Sequence, residues 1–271
     1  MNKKSNRKKL HPRDYSIDFT EAVLLGSGKG IMYLFLLSWI MLTGFMQDST
    51  TNRNEMSDSS DTTQADWIHL FNGNNLEGWQ IFGGNKNFIV ENGAIVGITK
   101  MNAPSGFLAT KKKYDDFILE ADFKIDDGIN SGIQIRSDTL KEDVTTEYLT
   151  GRLEKKEMTF RQGRFGGYQI EFDPSNRAWT GGFYEEAGRG WIQPLNNNEE
   201  ARKAFKNNQW NHLRIKANGN HIEAWVNGIK TCNVKDDKSE TGYIALQLHS
   251  AHKKEQIDKK VRLKNVKIKE L

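Results

Sequence analysis

The segment Gly167-Tyr-Gln-Ile-Glu-Phe-Asp173 alternates apolar and polar residues, and two other segments repeat this pattern: Ser131-Gly-Ile-Gln-Ile-Arg136 and Tyr243-Ile-Ala-Leu-Gln-Leu-His-Ser250. Because successive side chains of a strand point to opposite faces, each segment is predicted to form a strand with one apolar face. The opposite faces carry Gln134, Arg136, Gln169, Glu171, Asp173, Gln247 and His249. Amides, a guanidinium, carboxylates and an imidazole suit a polar ligand such as a sugar, although antiparallel sheets often simply turn one face to water.

The chain from Asp66 onward has the pattern of short strands separated by turns rich in Gly and Asn. Phe117 to Ile125 alternates with a generic charged outer face, and Asn92-Gly93 suits the type I′ turn of a hairpin. A change of phase near Asn265 predicts a β-bulge. With about ten to thirteen strands and one weak helical pattern at 198–206, the sequence predicts an all-β sandwich.

Two longer segments interrupt this regular spacing. Residues 138–163 are charged and irregular, and we expect a mobile flap there. Residues 173–208 are rich in aromatic residues and glycine, which favours a functional loop, because long loops in compact domains are usually functional or disordered. Tyr184 and Trp191 in this loop could stack on a pyranose ring or pack in the core. The charged stretch from Glu185 to Arg189 is typical of a solvated loop tip.

The amino-terminal part differs in composition from the rest. Residues 1–30 form a basic leader, 31–46 an apolar run, and 47–65 a linker of Ser, Thr, Asn and Asp, followed by the predicted domain at 66–271. The apolar run is short for a bilayer span and suits either a signal-peptide core or a membrane anchor. We therefore expect an exported protein, periplasmic or at the cell surface, that meets a membrane only through this segment.

Composition narrows the function further. The formal net charge of the 271-residue chain is +4, and its basic residues form no stripe interleaved with aromatic residues, so nucleic acid is not an expected partner. The single cysteine, Cys232, cannot form an internal disulfide, and we interpret it as a buried apolar residue of a strand.

An ordered set of motifs carries a resemblance to a known family. The motifs are Leu70-Phe-Asn-Gly-Asn-Asn-Leu-Glu-Gly-Trp79, Asn130-Ser-Gly-Ile-Gln-Ile-Arg136, Gly167-Tyr-Gln-Ile-Glu-Phe172, Thr180-Gly-Gly-Phe-Tyr184, Trp210-Asn-His-Leu-Arg-Ile215, Trp225-Val-Asn-Gly228 and Gly242-Tyr-Ile-Ala-Leu-Gln-Leu-His249. From about Asp66 to Leu271, the chain resembles the 3-keto-disaccharide hydrolase domain. The resemblance implies a concanavalin-like jelly roll of two antiparallel sheets with one sugar-facing concave face, in an extracytoplasmic bacterial protein.

The same resemblance implies a reaction on an oxidised disaccharide or glycoside. A ketone at C3 of the sugar acidifies the proton on C2, whose removal gives an enolate that expels the C1 substituent, and water then adds back. The site needs a base, an electrophile at the ketone oxygen and a donor to the leaving group. A glycoside 3-dehydrogenase is the expected partner that supplies the ketone.

The candidate catalytic residues are Glu171, His249 and Arg136. Glu171 is the first candidate for the base, because a carboxylate in a partly desolvated cleft has a raised pKa. The alternative is a structural role, in which Glu171 and Arg136 form an ion pair on the same face of the sheet. His249 is a candidate acid or base, and Arg136 is a candidate to hold hydroxyls or the enolate oxygen. A divalent metal ion bound by Glu171 and His249 is left open.

The candidate substrate-binding residues are Gln134, Gln169, Asp173, Tyr184, Trp191 and Gln247. For Asp173 a turn at the end of its strand is a strong alternative. Two other functions remain open at this point. One is a carbohydrate-binding module without catalysis on the same fold, and the other is a conventional glycosidase with two carboxylates.

Overall fold

The structure is a computed structural model that describes residues 66–271. Its strands are β1 (Ile68–His69), β2 (Trp79–Gly83), β3 (Phe88–Glu91), β4 (Ala94–Ile98), β5 (Gly106–Thr110), β6 (Phe117–Ile125), β7 (Ser131–Thr139), β8 (Val144–Leu149), β9 (Lys155–Phe160), β10 (Phe165–Phe172), β11 (Phe183–Glu186), β12 (Gly190–Gln193), β13 (Asn211–Asn218), β14 (His221–Val226), β15 (Ile229–Lys235), β16 (Tyr243–Leu248) and β17 (Lys260–Glu270). The helical elements of this part are α1 (Glu199–Arg202) and a 3₁₀ turn (Lys254–Gln256). The expectation of an all-β protein is confirmed.

The strands form two sheets. The eight-stranded sheet has the order β15-β14-β13-β6-β17-β4-β3, with β1 on β17, and the nine-stranded sheet has the order β2-β5-β16-β7-β10-β11-β12-β8-β9. The apolar faces meet in one core, where Phe123 of β6 stacks on Phe172 of β10 with ring centroids 3.8 Å apart. Among the strands of residues 66–271, all pairings are antiparallel except that of β12 with β8, which are parallel through Gly190 and Leu149.

The local turn chemistry follows the sequence. Asn92 and Gly93 both have positive φ, 53° and 71°, as a type I′ turn requires, and they join β3 to β4. Asn265 also has a positive φ, and the pairing of β17 with β6 shifts between Lys264 and Lys267. The predicted hairpin and the predicted bulge are both confirmed.

The two segments expected to be irregular instead contain strands. Most of residues 138–163 form the hairpin β8–β9 at one edge of the nine-stranded sheet, so the expected flap is part of a sheet. Tyr184 and Trp191 lie on β11 and β12, where they pair with each other. The helical pattern near residue 200 gives only the four-residue α1.

The leader, the apolar run and the linker lie outside the described residues. Within 66–271, no helix is long and apolar enough to cross a bilayer.

Candidate active site

A cleft of about 470 Å³ opens at one end of the outer face of the nine-stranded sheet. Five of the predicted site residues line it: Glu171, Asp173, Tyr184, Trp191 and His249. They come from β10, β11, β12 and the residues that follow β10 and β16. The strand register explains why β10 and β11 meet here. Gln169 of β10 pairs with Gln134 of β7 on one side and with Tyr184 of β11 on the other.

Glu171 lies at the base of this cleft with 4% of its surface exposed. Asn130 Nδ2 donates a hydrogen bond to one carboxylate oxygen, and Gln169 Nε2 donates to the other at 2.7 Å. Loss of hydration raises the pKa of Glu171 to about 7, and these two hydrogen bonds only partly oppose that rise. A carboxyl group with this pKa exchanges a proton readily near neutral pH.

Three buried glutamines lie beneath the cleft rather than along its wall. Gln169 Nε2 also donates to Gln247 Oε1 at 3.1 Å, and Gln134 Nε2 donates to Gln169 Oε1 at 3.2 Å. Each is at most 1% exposed, so the structure does not place Gln134, Gln169 or Gln247 where they contact a sugar directly. Gly132 makes room for this arrangement, because a Cβ there would lie 2.7 Å from the Gln169 side chain.

This amide chain ends at a second carboxylate in the cleft, Glu186. Gln247 Nε2 donates to Glu186 Oε2 at 3.2 Å, and Arg164 Nη2 donates to Glu186 Oε1 at 2.8 Å. Glu186 is on strand β11 and 7% exposed, so the expectation of a solvated loop tip was wrong for this residue. The hydrogen-bonded path from Glu186 to Glu171 runs through two amides.

His249 follows β16 and lies at the edge of the cleft. Its Nδ1 is 3.3 Å from Ser105 Oγ. Burial lowers the pKa of His249, and the nearby Glu186 charge opposes this only in part. The imidazole is therefore neutral at pH 7, with a ring nitrogen able to donate or accept a hydrogen bond.

An aromatic wall faces these ionisable groups. The hydroxyls of Tyr184 and Tyr148 are 3.0 Å apart, and Trp191 meets Tyr184 edge-on with ring centroids 5.4 Å apart. Burial, followed by the charge of Glu186, raises the pKa of Tyr184. Its hydroxyl therefore stays protonated and is a hydrogen-bond donor throughout the neutral range.

Asp173 lies at the cleft but is already engaged. Its Oδ2 accepts from Arg177 Nε at 2.7 Å, and its Oδ1 accepts from the Ser175 backbone N–H at 3.1 Å. The turn that the sequence offered as an alternative is present, and it fixes the carboxylate.

Arg136 lies elsewhere, and the expectation that it shares a cleft with Glu171 is not met. Opposite Gly167, strand β7 contains an extra residue, and Arg136 adopts a positive φ of 47°. Its guanidinium donates to the carbonyls of Asp115 at 2.9 Å and Gly219 at 2.7 Å, and to Asp116 Oδ1 at 2.8 Å. The bulge thus turns Arg136 away from the cleft, so Arg136 is not a catalytic residue of this site.

Nine residues that line the cleft were not among the candidates, and four of them carry the side chains that matter for the site: Asn130, Tyr148, Arg177 and Glu186. Asn130 immediately precedes β7 and is the first residue of the motif Asn130–Arg136. Its place in that motif is the sequence signal by which it could have been recognised. Tyr148 is in the charged segment whose hairpin the sequence did not indicate. Within residues 66–271, no three His, Cys, Asp or Glu side chains gather as a metal-binding group, and a divalent ion bound by Glu171 and His249 stays a prediction.

Comparison with known proteins identifies the domain. Residues 66–269 match the family of the 3-keto-alpha-glucoside-1,2-lyase-like domain. The chain belongs to this family. The resemblance inferred from the ordered motifs is thereby confirmed, and no curated protein matches the chain significantly.

Several solved structures align with this family member. A candidate glycosyl hydrolase from Parabacteroides distasonis is 21% identical, with a TM-score of 0.48, over 77% of this chain and 95% of its own. The carbohydrate-binding module CBM66 from Bacillus subtilis is 16% identical, with a TM-score of 0.41, over 71% and 95%. A Bacillus subtilis protein with a galectin-like fold is 11% identical, with a TM-score of 0.45, over 72% and 90%. Because these TM-scores are below 0.5, the alignments say nothing about the ligand of this chain.

Proposed function

We propose that this protein is an exported enzyme that cleaves 3-keto-glycosides on a concanavalin-like jelly roll. The observation that carries the proposal is Glu171, a buried carboxyl group at the base of an open cleft whose pKa is raised to about 7. Membership of the 3-keto-alpha-glucoside-1,2-lyase-like family supports the substrate class. A glycoside 3-dehydrogenase would supply the substrate, because the reaction starts from a C3 ketone.

The proposed reaction begins with proton abstraction. Ionised Glu171 takes the proton from C2, and the electrons of the C2–H bond move into an enolate whose oxygen is that of the C3 ketone. With Arg136 elsewhere, the hydroxyl of Tyr184 is the donor that we assign to this oxygen, because it is protonated and lies in the same cleft.

Elimination and hydration complete the cycle. The enolate expels the C1 substituent as the C1–O bond breaks. Neutral His249 donates a hydrogen bond to the departing oxygen, which takes the proton that Glu171 removed from C2. Water then adds across the C1–C2 double bond: its hydroxyl goes to C1, and Glu171 takes its remaining proton and delivers it to C2, which leaves Glu171 ionised again. The net result is hydrolysis without an oxocarbenium ion.

The decisive experiment compares a 4-nitrophenyl 3-keto-glucoside with its unoxidised counterpart. We expect wild-type protein to cleave only the keto substrate, with kcat/KM rising as pH increases through about 7 because the base must be ionised. Glu171→Gln should lose at least about 100-fold in rate, whereas Glu157→Gln, at an exposed position of β9, should retain wild-type activity. A chelator arm of the same assay shows whether a divalent ion contributes.

Other outcomes would point to the rival functions. Full activity of Glu171→Gln would remove this residue from the mechanism. Release of nitrophenol from the unoxidised glucoside would favour a conventional glycosidase. Binding of both sugars with cleavage of neither would indicate a carbohydrate-binding module.

A further inference from the structure

The cleft continues past its aromatic wall into a second cavity. This cavity has a volume of about 390 Å³ and is lined by the loop between β8 and β9. Gly151 and Arg177 line both spaces, so the two cavities share a boundary. A ligand whose sugar sits above Glu171 could extend a second group across this boundary.

Only one nitrogen of the Arg177 guanidinium donates a hydrogen bond to the described part of the protein. Its Nε donates to Asp173 at 2.7 Å, and its guanidinium carbon lies 4.5 Å from the ring centroid of Trp179 and 5.1 Å from that of Trp191. Within residues 66–271, neither of its Nη atoms has a protein acceptor. Gly151 leaves space for Nη1, which a Cβ at this position would contact closely. The four Nη hydrogens are therefore available at the boundary.

A tight loop places a second cation beside the first. Thr150 Oγ1 accepts the backbone N–H groups of Arg152 and Glu154, each at 3.2 Å, and the Thr150 N–H donates to the Glu154 carbonyl at 2.9 Å. These bonds fix the loop from within. Arg152 is exposed in the second cavity without an ion-pair partner among the described residues.

Strand pairing adds a third cation. Lys156 of β9 is directly opposite Tyr148 of β8, and residues directly opposite share one face of a sheet. Because Tyr148 lines the first cleft, Lys156 is on the cleft side of this hairpin. Its neighbour Lys155 points the other way and pairs with Glu147 at 2.7 Å.

The charges of the second cavity are unequal. Three cations, Arg152, Lys156 and Arg177, line it with one carboxylate, Glu154, whose nearest approach to Lys156 is 3.8 Å. Arg177 is also paired with Asp173 at 2.7 Å, so one positive charge is left in excess. We propose that this cavity is a second subsite that binds a carboxylate on the leaving group of the substrate, as in a glycoside of an acidic sugar or an aromatic acid. A planar carboxylate matches the fork of a guanidinium. The identity of the ligand as a glycoside depends on the function proposed above.

The test uses equilibrium binding, so that it does not require catalysis. The probes are 4-carboxyphenyl α-glucoside and the uncharged 4-carbamoylphenyl α-glucoside, both unoxidised and titrated into the full-length protein by calorimetry. We expect wild-type protein to bind the carboxylate probe about tenfold more tightly at low ionic strength, with the preference shrinking as salt is added. The double variant Arg152→Ala, Lys156→Ala should lose most of this preference, and Lys155→Ala should keep it.

Two results would overturn the subsite. One is equal affinity of wild-type protein for the two probes, or no binding of the carboxylate probe at millimolar concentration. The other is a double variant that, with an unchanged melting temperature, keeps the full preference. The 3-keto forms of both probes separate this inference from the proposed function. A retained binding preference without cleavage of either keto probe would contradict the reaction and leave the subsite standing.

Discussion

At the scale of single residues, Glu171 is a position where the proposed chemistry requires a group that lowers the stability of the fold. The alternation of β10 places its side chain on the outer face of the sheet, but Asn130, Gln169 and the walls of the cleft cover it there. Burial of a carboxylate is unfavourable unless hydrogen bonds replace its hydration, and here two donors do so incompletely. The result is a carboxyl group that prefers its proton at a pH where most glutamates have lost it.

This preference predicts how stability changes with pH. The pKa of Glu171 is about 7 in the folded protein and near 4.5 when unfolded, so the folded state binds the proton more tightly. The stabilisation is fully present below pH 4.5 and is lost as pH rises through about 7. The difference of about 2.5 units corresponds to about 3 kcal/mol in the free energy of unfolding.

Urea denaturation of two variants across this range measures the effect. Glu171→Gln cannot titrate, so its stability relative to wild-type protein should increase between pH 4.5 and 8. Glu157→Gln should follow the wild-type curve. Parallel curves for wild-type protein and Glu171→Gln would show that Glu171 has an ordinary pKa.

At the scale of elements, the amide chain joins three strands into one electrostatic unit. The Glu186 carboxylate only accepts hydrogen bonds, so Gln247 on β16 turns its N–H groups toward it. The Gln247 carbonyl oxygen then faces Gln169 on β10, whose N–H is directed to Glu171. The orientation of both amides is therefore set at Glu186, on the strand next to that of the proposed base.

Glu186→Gln should move the activity profile along the pH axis. A glutamine can donate as well as accept, so the amides can turn and the hydrogen bond from Gln169, which lowers the pKa of Glu171, is weakened. The charges that act directly on Glu171 are those of Asp173 and Arg177, so the amide effect should prevail. We expect the rise in kcat/KM to shift to higher pH.

Gln247→Leu is the matched variant, because it breaks the same chain without changing any charge. It should shift the profile in the same direction. A shift to lower pH in either variant would mean that the amides do not transmit the orientation.

Some of this site could be predicted from the alternation of residues, and some could not. Glu171 was found because the alternation of β10 continues without irregularity through its pairing with β11, whereas Tyr184 was found as an aromatic residue of a segment that was expected to be a loop. Arg136 was placed wrongly because one extra residue in β7 reverses the alternation, and the residue of β7 with the positive φ at this bulge is Arg136 itself and not a Gly or Asn. The three glutamines were assigned to the right face, but an alternating pattern does not report how deeply a face is covered.

The bulge also predicts a separation between stability and activity. Arg136 ties the start of β6 to two turns through a side chain that is 1% exposed. Arg136→Ala should destabilise the fold by about 3 kcal/mol, because it removes a buried side chain together with its hydrogen bonds to three carbonyls and to Asp116. The rate per folded molecule on the 3-keto-glucoside should not change. Thermal denaturation and active-site titration of the same preparation test this, and a lost rate in fully folded protein would return Arg136 to the site.

At the scale of the whole molecule, the two sheets share one core and no covalent cross-link. Strands distant in sequence are neighbours in both sheets, for example β17 beside β4 and β6, and β16 between β5 and β7. Removing one strand would therefore expose apolar surface on several others. Small domains with one shared core usually unfold in a single cooperative transition.

Cys232 provides a probe for this cooperativity. Its thiol lies on β15 with no exposed surface, and burial raises its pKa, so native protein should not react with a thiol reagent. We expect labelling in increasing urea to follow the loss of near-ultraviolet circular dichroism with the same midpoint. Because the chain has one cysteine, a reductant should leave the midpoint unchanged, and Cys232→Ala provides the unlabelled control. Labelling well before the optical transition would mean that β15 opens separately and that the eight-stranded sheet is not a single cooperative unit.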